Sequence, residues 1–475
     1  MNRTTLRTTA GAIVAVVLFA ASAGAAAFCG FFVGKADSTL FNEASKVIMV
    51  RNEDKTVISM QNDYRGDLKE FALVVPVPQV LQRGQINVGD PKIFDRIDAY
   101  SAPRLAEYFD ADPCVRRKMM EMARAGSAQA VNAPAFASAR DKALGVTVEA
   151  RYTIGEYDIV ILSAKESDGL ETWLQQSGYR IPRGASAALR PYIRQNLKFF
   201  VAKVNIKEQA KTGYTYLRPL QFAFESEKFM LPIRLGMINA QGPQDLIVFM
   251  LTKGGRVETT NYRTVKLPAN VDIPSYVKSD FPRFYKALFN EQAKKEEYRV
   301  AFTEYFWDMS WCDPCAADPL SPAELKSAGV FWLDGDDAPP IAPAIGMSPT
   351  PGAPPAVVRR PVLPPNAAPV MLTRLHVRYS RDTFPEDLMF QETKDRQNFQ
   401  TRYVVHQAWK GDPNACEDAK GYFAQLPARY EREAQTLASL TGWDINDVRK
   451  NMDFTPVPAA NPKPWWQNLW KTPAP

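Results

Sequence analysis

Cys312 and Cys315, in the stretch EYFWDMSWCDPCAADP, carry the clearest chemical signal in the chain. A Cys-x-x-Cys pair exchanges electrons with another disulfide when a helix N-terminus activates the first thiol and the second resolves the mixed disulfide. The same spacing also serves as a staple, or as half of a zinc site. Cys29, Cys114 and Cys416 bring the total to five, an odd number. At least one thiol is therefore unpaired or bonded to another chain. The spacing leaves the connectivity open.

Local context separates these chemistries. The segment YRVAFTEYFWDMSWCDPC resembles a thioredoxin-like site, with an apolar strand, aromatics and a Trp-flanked motif. The helix of such a site should begin at the cysteines. Here the best start comes later, with Ser321 as N-cap, Pro322 at N1, Glu324 at N3 and Gly329 as the stop. The cysteines then lie ahead of the helix, where its dipole does little for a thiolate. The further strand–helix–strand unit of a thioredoxin is missing too, since GVFWL runs into an acidic turn and a proline-rich stretch. The expectation is a structural disulfide or pairing with neighbouring cysteines. The catalytic alternative makes Cys312 the nucleophile and Cys315 the resolving thiol. A closed zinc site needs about four ligands. Only Cys416, His376 and His406 could join the pair, at a spacing of no familiar module. No metal and no cofactor are expected.

The chain has two histidines, His376 in RLHVRYS and His406 in YVVHQAW. Both contexts read as strands, and such histidines are packed or surface residues more often than catalytic pairs. Gly-x-Ser-x-Gly, His-Glu-x-x-His and phosphate-loop motifs are absent from the sequence. A triad or carboxylate pair dispersed along the chain stays open, because its groups need not be close in sequence. An unrecognised hydrolase is thus a second alternative. Asp334, Asp336 and Asp337 imitate the start of a calcium loop but lack its later glutamate, which reads as a solvated turn. In NPKPWWQNLWKTPAP, Trp466 and Trp470 lie one helical turn apart beside Trp465. Packed inward they anchor a tail. Exposed, they offer a protein contact or a weak membrane-surface contact.

The elements that must position these residues begin after a targeting segment. Arg3 and Arg7, the apolar AIVAVVLFA and the small AGAAA form a signal peptide over 1–27, cleaved between Ala27 and Phe28. An uncleaved anchor over 10–28 is the competing reading. The expected location is periplasmic or otherwise extracytoplasmic. At 475 residues and 46% hydrophobic, the chain can bury a large core. A net charge of +6 without a dense basic run gives no nucleic-acid face.

SKVIMV, KTVISMQN and KEFALVVPVP read as strands, the last ended or kept on an edge by Pro76 and Pro78. Asp90-Pro91 opens a helix through Ile93, Phe94 and Ile97. Residues 125–145 read as a mobile surface loop. SDGLETWLQQSGY reads as a helix capped by Asp168 and Glu171, and ASAALRPYIRQN as a second helix disturbed by Pro191. KFFVAKVN, LQFAFES, FMLPIRLG, DLIVFMLT and VETTNYRTVKL are strand-like. Eleven prolines in 339–370 mark a linker or excursion. MLTRLHVRYS and TRYVVHQAW then return as strands. ACEDAKGYFAQL, ARYEREAQTLASLTG and INDVRKNM read as C-terminal helices. The fold class is α+β with a largely antiparallel sheet. It is organised as a main domain over 28–338, the Pro-rich segment, returning strands and helices over 371–460, and a Trp-rich tail over 461–475.

FCGFFVGKADSTLFNEASKV, NDYRGDLKEFALVVPVP, YSAPRLAEYFDADPC, GEYDIVILSAKESDGLETWLQQSGYRIP, FTEYFWDMSWCDPCAADPLS, RLHVRYS and FPEDLMFQE resemble the bacterial domain-of-unknown-function family 2330. The resemblance implies a secreted bacterial protein with recurring cysteines and carries over no catalytic residue. The reading is an exported, non-catalytic protein that binds a protein or envelope partner on a disulfide-supported scaffold.

Overall fold

The computed structural model describes residues 31–34, 41–42, 45–61, 64–65, 71–114, 151–163, 173–175, 179, 184–211, 217–238, 240, 242–311, 313, 318–334 and 368–452. Five strands form an antiparallel sheet: β1 (Phe31–Gly34), β4 (Phe71–Val77), β7 (Arg151–Ile154), β8 (Tyr157–Ser163) and β9 (Lys198–Val204). Their spatial order is β1-β4-β9-β8-β7. A nine-stranded sheet contains β2 (Ser45–Asn52), β3 (Lys55–Gln61), β5 (Ile86–Val88), β10 (Leu220–Glu225), β11 (Gln244–Thr252), β12 (Arg263–Lys266), β14 (Val300–Asp308) and β15 (Met371–Tyr379). Its order is β12-β14-β15-β11-β2-β3-β10-β5, with Phe399–Gln400 added beside β14. A third sheet is wholly parallel, in the order β13 (Val271–Asp272), β16 (Arg402–Gln407), β6 (Arg104–Phe109).

Alternation along the strands explains the layering. Side chains of a strand point to opposite faces in turn. In β2, Val47 and Met49 enter the core between the two large sheets, meeting Leu73, Val75, Ile159 and Phe200. Ile48 and Val50 face outward under Ile93, Phe94 and Ile97 of α1 (Lys92–Ser101). A strand buried on both faces must read as a continuous apolar run, here VIMV over 47–50. The outer face of the five-stranded sheet is covered by α2 (Ala185–Arg194), through Leu189 and Tyr192. On the other side, α3 (Phe281–Lys295) and α5 (Glu417–Thr441) pack with Phe302 of β14 and Tyr403 of β16. The result is an α+β fold layered helix, sheet, sheet, helix. Among the described residues, no helix is long and apolar enough to cross a membrane.

Several local readings are met. α4 (Pro322–Ser327) has the full capping box between Ser321 and Glu324, and Gly329 follows it with φ +104°. Pro76 lies within β4, beyond Val74 where the pairing with β1 ends, so it sits in a one-sided stretch. Strand β15 lies between β14 and β11, so the chain after the Pro-rich segment enters the middle of the main sheet.

Other readings need correction. Pro91 is itself the N-cap of α1, with the Asp90 carboxylate accepting from the Lys92 N–H. VETTNYRTVKL divides into strands of different sheets, Val257–Thr259 and β12. In FMLPIRLG only Met230–Leu231 is strand, and a 3-10 turn follows at Arg234–Ile238. The two helices expected around 415–441 are one, running through Pro427 and ending at Gly442 before α6 (Ile445–Asn451). Helix α3 was not legible as such. The signal segment 1–27, the loop 125–145, Asp168, Glu171, the Pro-rich residues 339–367 and the tail 461–475 lie outside the described residues.

Cys114, just beyond β6, is bonded to Cys416, the N-cap of α5, across 302 residues of sequence. The bridge fixes the start of α5 to the end of the parallel sheet. Closing so long a loop stabilises the native chain by about 2–5 kcal/mol. Cys114→Ser should therefore lower stability by about that amount in chemical denaturation. Peptide mapping of the oxidised chain should recover the Cys114–Cys416 pair.

Candidate functional site

Strand β15 carries Arg374, His376 and Arg378 on its outer face, while Leu375 and Val377 enter the inter-sheet core. Opposite it, β14 changes register between Thr303 and Tyr305. This bulge inserts Glu304 as an extra residue, so that Glu304 and Tyr305 both face outward. Glu304 is fully buried. Its carboxylate accepts from Arg374 Nε at 2.5 Å, from His376 Nδ1 at 2.6 Å and from the Tyr285 hydroxyl of α3. Arg374 also donates to Asp98 of α1, which pairs with Lys46 at 2.6 Å. On the other flank, Arg378 holds Asp245 through two bonds of 2.7 Å, a bidentate geometry that only a guanidinium offers. The His376 ring stacks on Phe289 of α3 at 3.7 Å between centroids, and its Nε2 lies 3.7 Å from Asp245.

These groups form one charged stripe beneath α1 and α3. Burial pushes Glu304 upward, but His376 and Arg374 outweigh it and bring its pKa down to about 2. Burial likewise pulls His376 down, and Glu304 and Asp245 reverse this to a net rise. Asp245 is held well below the usual carboxylate range by His376 and Arg378, against its own burial. The stripe thus sets the His376 imidazole between two carboxylates. Chemically it is an ion network joining a sheet to two helices.

The second histidine stands elsewhere. His406 lies on β16, and the carboxyl ends of the three parallel strands bring Asp110 and Asp272 to either side of it. Asp110 is 3.4 Å from Nδ1 and Asp272 is 3.4 Å from Nε2. Helix α5 completes this joint. Tyr422 Oη and Arg429 Nη1 each donate to Asp110 at 2.6 Å, and Glu433 sits 3.4 Å from Arg429 Nε. Tyr108 stacks on His406. Ligand sites of parallel sheets lie beyond the carboxyl ends of their strands. This joint occupies that position, beside the Cys114–Cys416 bridge.

The sequence-derived candidates divide accordingly. Cys114 and Cys416 are brought together. The two histidines are set in different sheets. Asp334 lies in a short 3-10 turn. Cys29, Cys312, Cys315, Asp336, Asp337, Trp465, Trp466 and Trp470 lie outside the described residues. Asp313, between Cys312 and Cys315, is buried and accepts from Tyr305 Oη at 2.9 Å and Gln400 Nε2 at 2.7 Å. Among the described residues, no group of three or more His, Cys, Asp or Glu side chains is placed to hold a metal. Sequence reasoning missed Glu304, Asp245, Asp110 and Glu433. For the stripe a signal existed: Arg-x-His-x-Arg in a strand puts three cationic groups on one face, which must meet acids if that face is covered.

The family model of DUF2330, described as an uncharacterised protein conserved in bacteria, matches residues 23–391. The chain belongs to the DUF2330 family. Every residue of the Glu304 stripe falls inside the matched span of this DUF2330 protein, whereas His406 and α5 follow it. No curated protein matches the sequence. Among solved structures, it is similar to a mutated baculovirus P35 after caspase cleavage, with 8% identity, 43% of this chain and 64% of that chain covered, and a TM-score of 0.26. For baculovirus P35 itself the values are 9%, 44%, 64% and 0.25. For a chain of the caspase-8/P35 complex they are 9%, 46%, 69% and 0.23. The DUF2330 chain thus spans 64% of the length of the first two structures.

Removing one partner of a buried ion pair strands the other. Glu304→Gln should therefore lower stability by about 3–5 kcal/mol, read as a shift in the urea midpoint. The pH dependence has a definite sign. A histidine whose folded pKa is raised stabilises fully below its unfolded value near 6.5, and that stabilisation is lost as pH rises through the folded value. The gap in stability between the native chain and His376→Gln should be largest below about pH 6.5 and shrink above it. Glu304 acts in the opposite sense, stabilising above about pH 4.5 and losing its effect as pH falls toward about 2.

Proposed function

We propose that this DUF2330 protein is exported through its cleaved N-terminal segment and acts outside the cytoplasm as a non-catalytic binding protein for a protein partner. The observation that carries the reading is the tip of β6. Phe109 is 75% exposed and Tyr108 46% exposed. They are backed by the pairing of β6 with β16 and by the Cys114–Cys416 bridge. Large aromatic side chains fixed before association lose little freedom on binding, and such residues dominate interface energies. Beneath them Asp110 accepts from both Tyr422 and Arg429, which suits a scaffold.

The thiol–disulfide alternative rests on a separate observation. Buried Asp313 anchors the middle of WCDPC to the end of β14, while Trp311 next to the motif is exposed. Acting through Cys312, such an enzyme loses electron exchange on Cys312→Ser with its fold intact.

A photo-crosslinking residue at position 109, in protein exported by its own signal, should give one adduct of defined mass. The same probe at Tyr298, also exposed, should give none. Phe109→Ser should weaken the complex about tenfold or more, equivalent to about 1.4 kcal/mol. An intact N-terminus retained in the cytoplasm would remove the export half of the proposal. Turnover of a small molecule that needs one defined side chain would replace the binding half.

A further inference from the structure

The joint at the carboxyl ends of the parallel strands is covered by a helix that carries a proline. Pro427 lies inside α5, where proline removes one helical hydrogen bond and crowds the preceding turn. The two halves of the helix rest on different supports. Ala434, Leu437 and Leu440 join the core formed with α3. Before the proline, Phe423 packs on Trp409 at 5.8 Å, and Tyr422 reaches Asp110 while accepting from the Trp409 N–H at 2.8 Å. Just past the proline, Arg429 is divided between Asp110 and Glu433. Glu433 is only 3% exposed, and its Oε1 has no hydrogen-bond partner.

We propose that this joint is a proton-operated latch. With Glu433 protonated, Arg429 neutralises Asp110 from beyond the proline while Tyr422 ties the first half of α5 to it, and that half stays on the parallel sheet. With Glu433 ionised, its charge competes for Arg429 and repels Asp110 and Asp272, and that half swings about Pro427 as far as the Cys114–Cys416 bridge allows.

The groups facing the joint come from every element packed against it. Arg429, Arg432 and Glu433 come from α5, Asp110 follows β6, Asp272 ends β13, and His406 lies on β16 between the two aspartates. Lys278 and Glu107 pair with one another at its edge. Charges of α3 and α6 that meet α5 are engaged elsewhere, Lys295 on the Ser439 carbonyl and Arg449 on Glu431. Burial, opposed by Arg429 and reinforced by Asp272 and Asp110, raises the Glu433 pKa to about 7. A carboxyl raised this way favours the closed form at low pH and loses that advantage as pH climbs from about 4.5 to about 7. Opening should rise about tenfold per pH unit across that range and level off above it.

Hydrogen exchange on the full, disulfide-intact chain tests this, with rates corrected for intrinsic pH dependence. Peptides spanning 104–112 and 417–430 should open about 40-fold more at pH 7 than at pH 5, with only about a twofold further rise at pH 8. Glu433→Gln should keep them closed throughout. Asp272→Asn, at a side chain 58% exposed, should move the midpoint to lower pH and serves if the glutamine variant does not fold. Opening that is independent of pH in the native chain, or a pH response that survives Glu433→Gln, would overturn the latch.

Discussion

The carboxylate of Glu304 is the contact on which the outer half of the molecule depends. A buried carboxylate is tolerated only when its neighbours return the several kcal/mol lost in leaving water. Here Arg374, His376 and Tyr285 do so from β15 and α3, and Arg374 passes the link on to Asp98 in α1. One bulged residue thereby ties two strands of the main sheet to two helices. The bulge is essential, because strict alternation would turn either Glu304 or Tyr305 into the inter-sheet core. Tyr305 instead packs outward with Tyr100 of α1.

The stripe also separates two apolar clusters that share one face of the nine-stranded sheet. One gathers α1, α4 and the residues around Trp332; the other gathers α3, α5 and the parallel sheet. Apolar packing alone is non-directional and permits sliding. A row of paired charges with fixed partners allows one arrangement, since a slip would leave Arg374 or Glu304 buried and unpaired.

The two polar regions differ in how far they are finished. Around Glu304 the bonds of Arg374, His376 and Tyr285 converge on one carboxylate beneath two helices, and His376 Nε2 is the atom left without a hydrogen bond there. At the joint around His406, a buried carboxyl has an oxygen with no donor, a proline lies inside the covering helix, and exposed aromatics stand at the rim. A region of this kind suits a contact surface or a movable part, whereas the stripe suits a fixed frame. The family match covers the frame in full and stops before β16 and α5.

Much of the frame was legible in the residues themselves. Alternating or continuous apolar runs identified β2, β3, β9, β11 and β15, because side-chain period follows directly from backbone geometry. The Ser321–Glu324 box placed α4, because capping is satisfied within four residues. The helix around Pro191 was equally local. Tertiary structure decided the rest. Tertiary packing carries α5 unbroken through Pro427, with its later half fixed in the α3 core, a support that local propensity cannot register. Which of five cysteines pair depends on bringing residues 302 apart into contact. The partners of His376 and His406 come from strands and helices remote in sequence. Charge and period could say that Arg374, His376 and Arg378 share a face. Only the fold, through one extra residue in the neighbouring strand, could supply the buried acid between them.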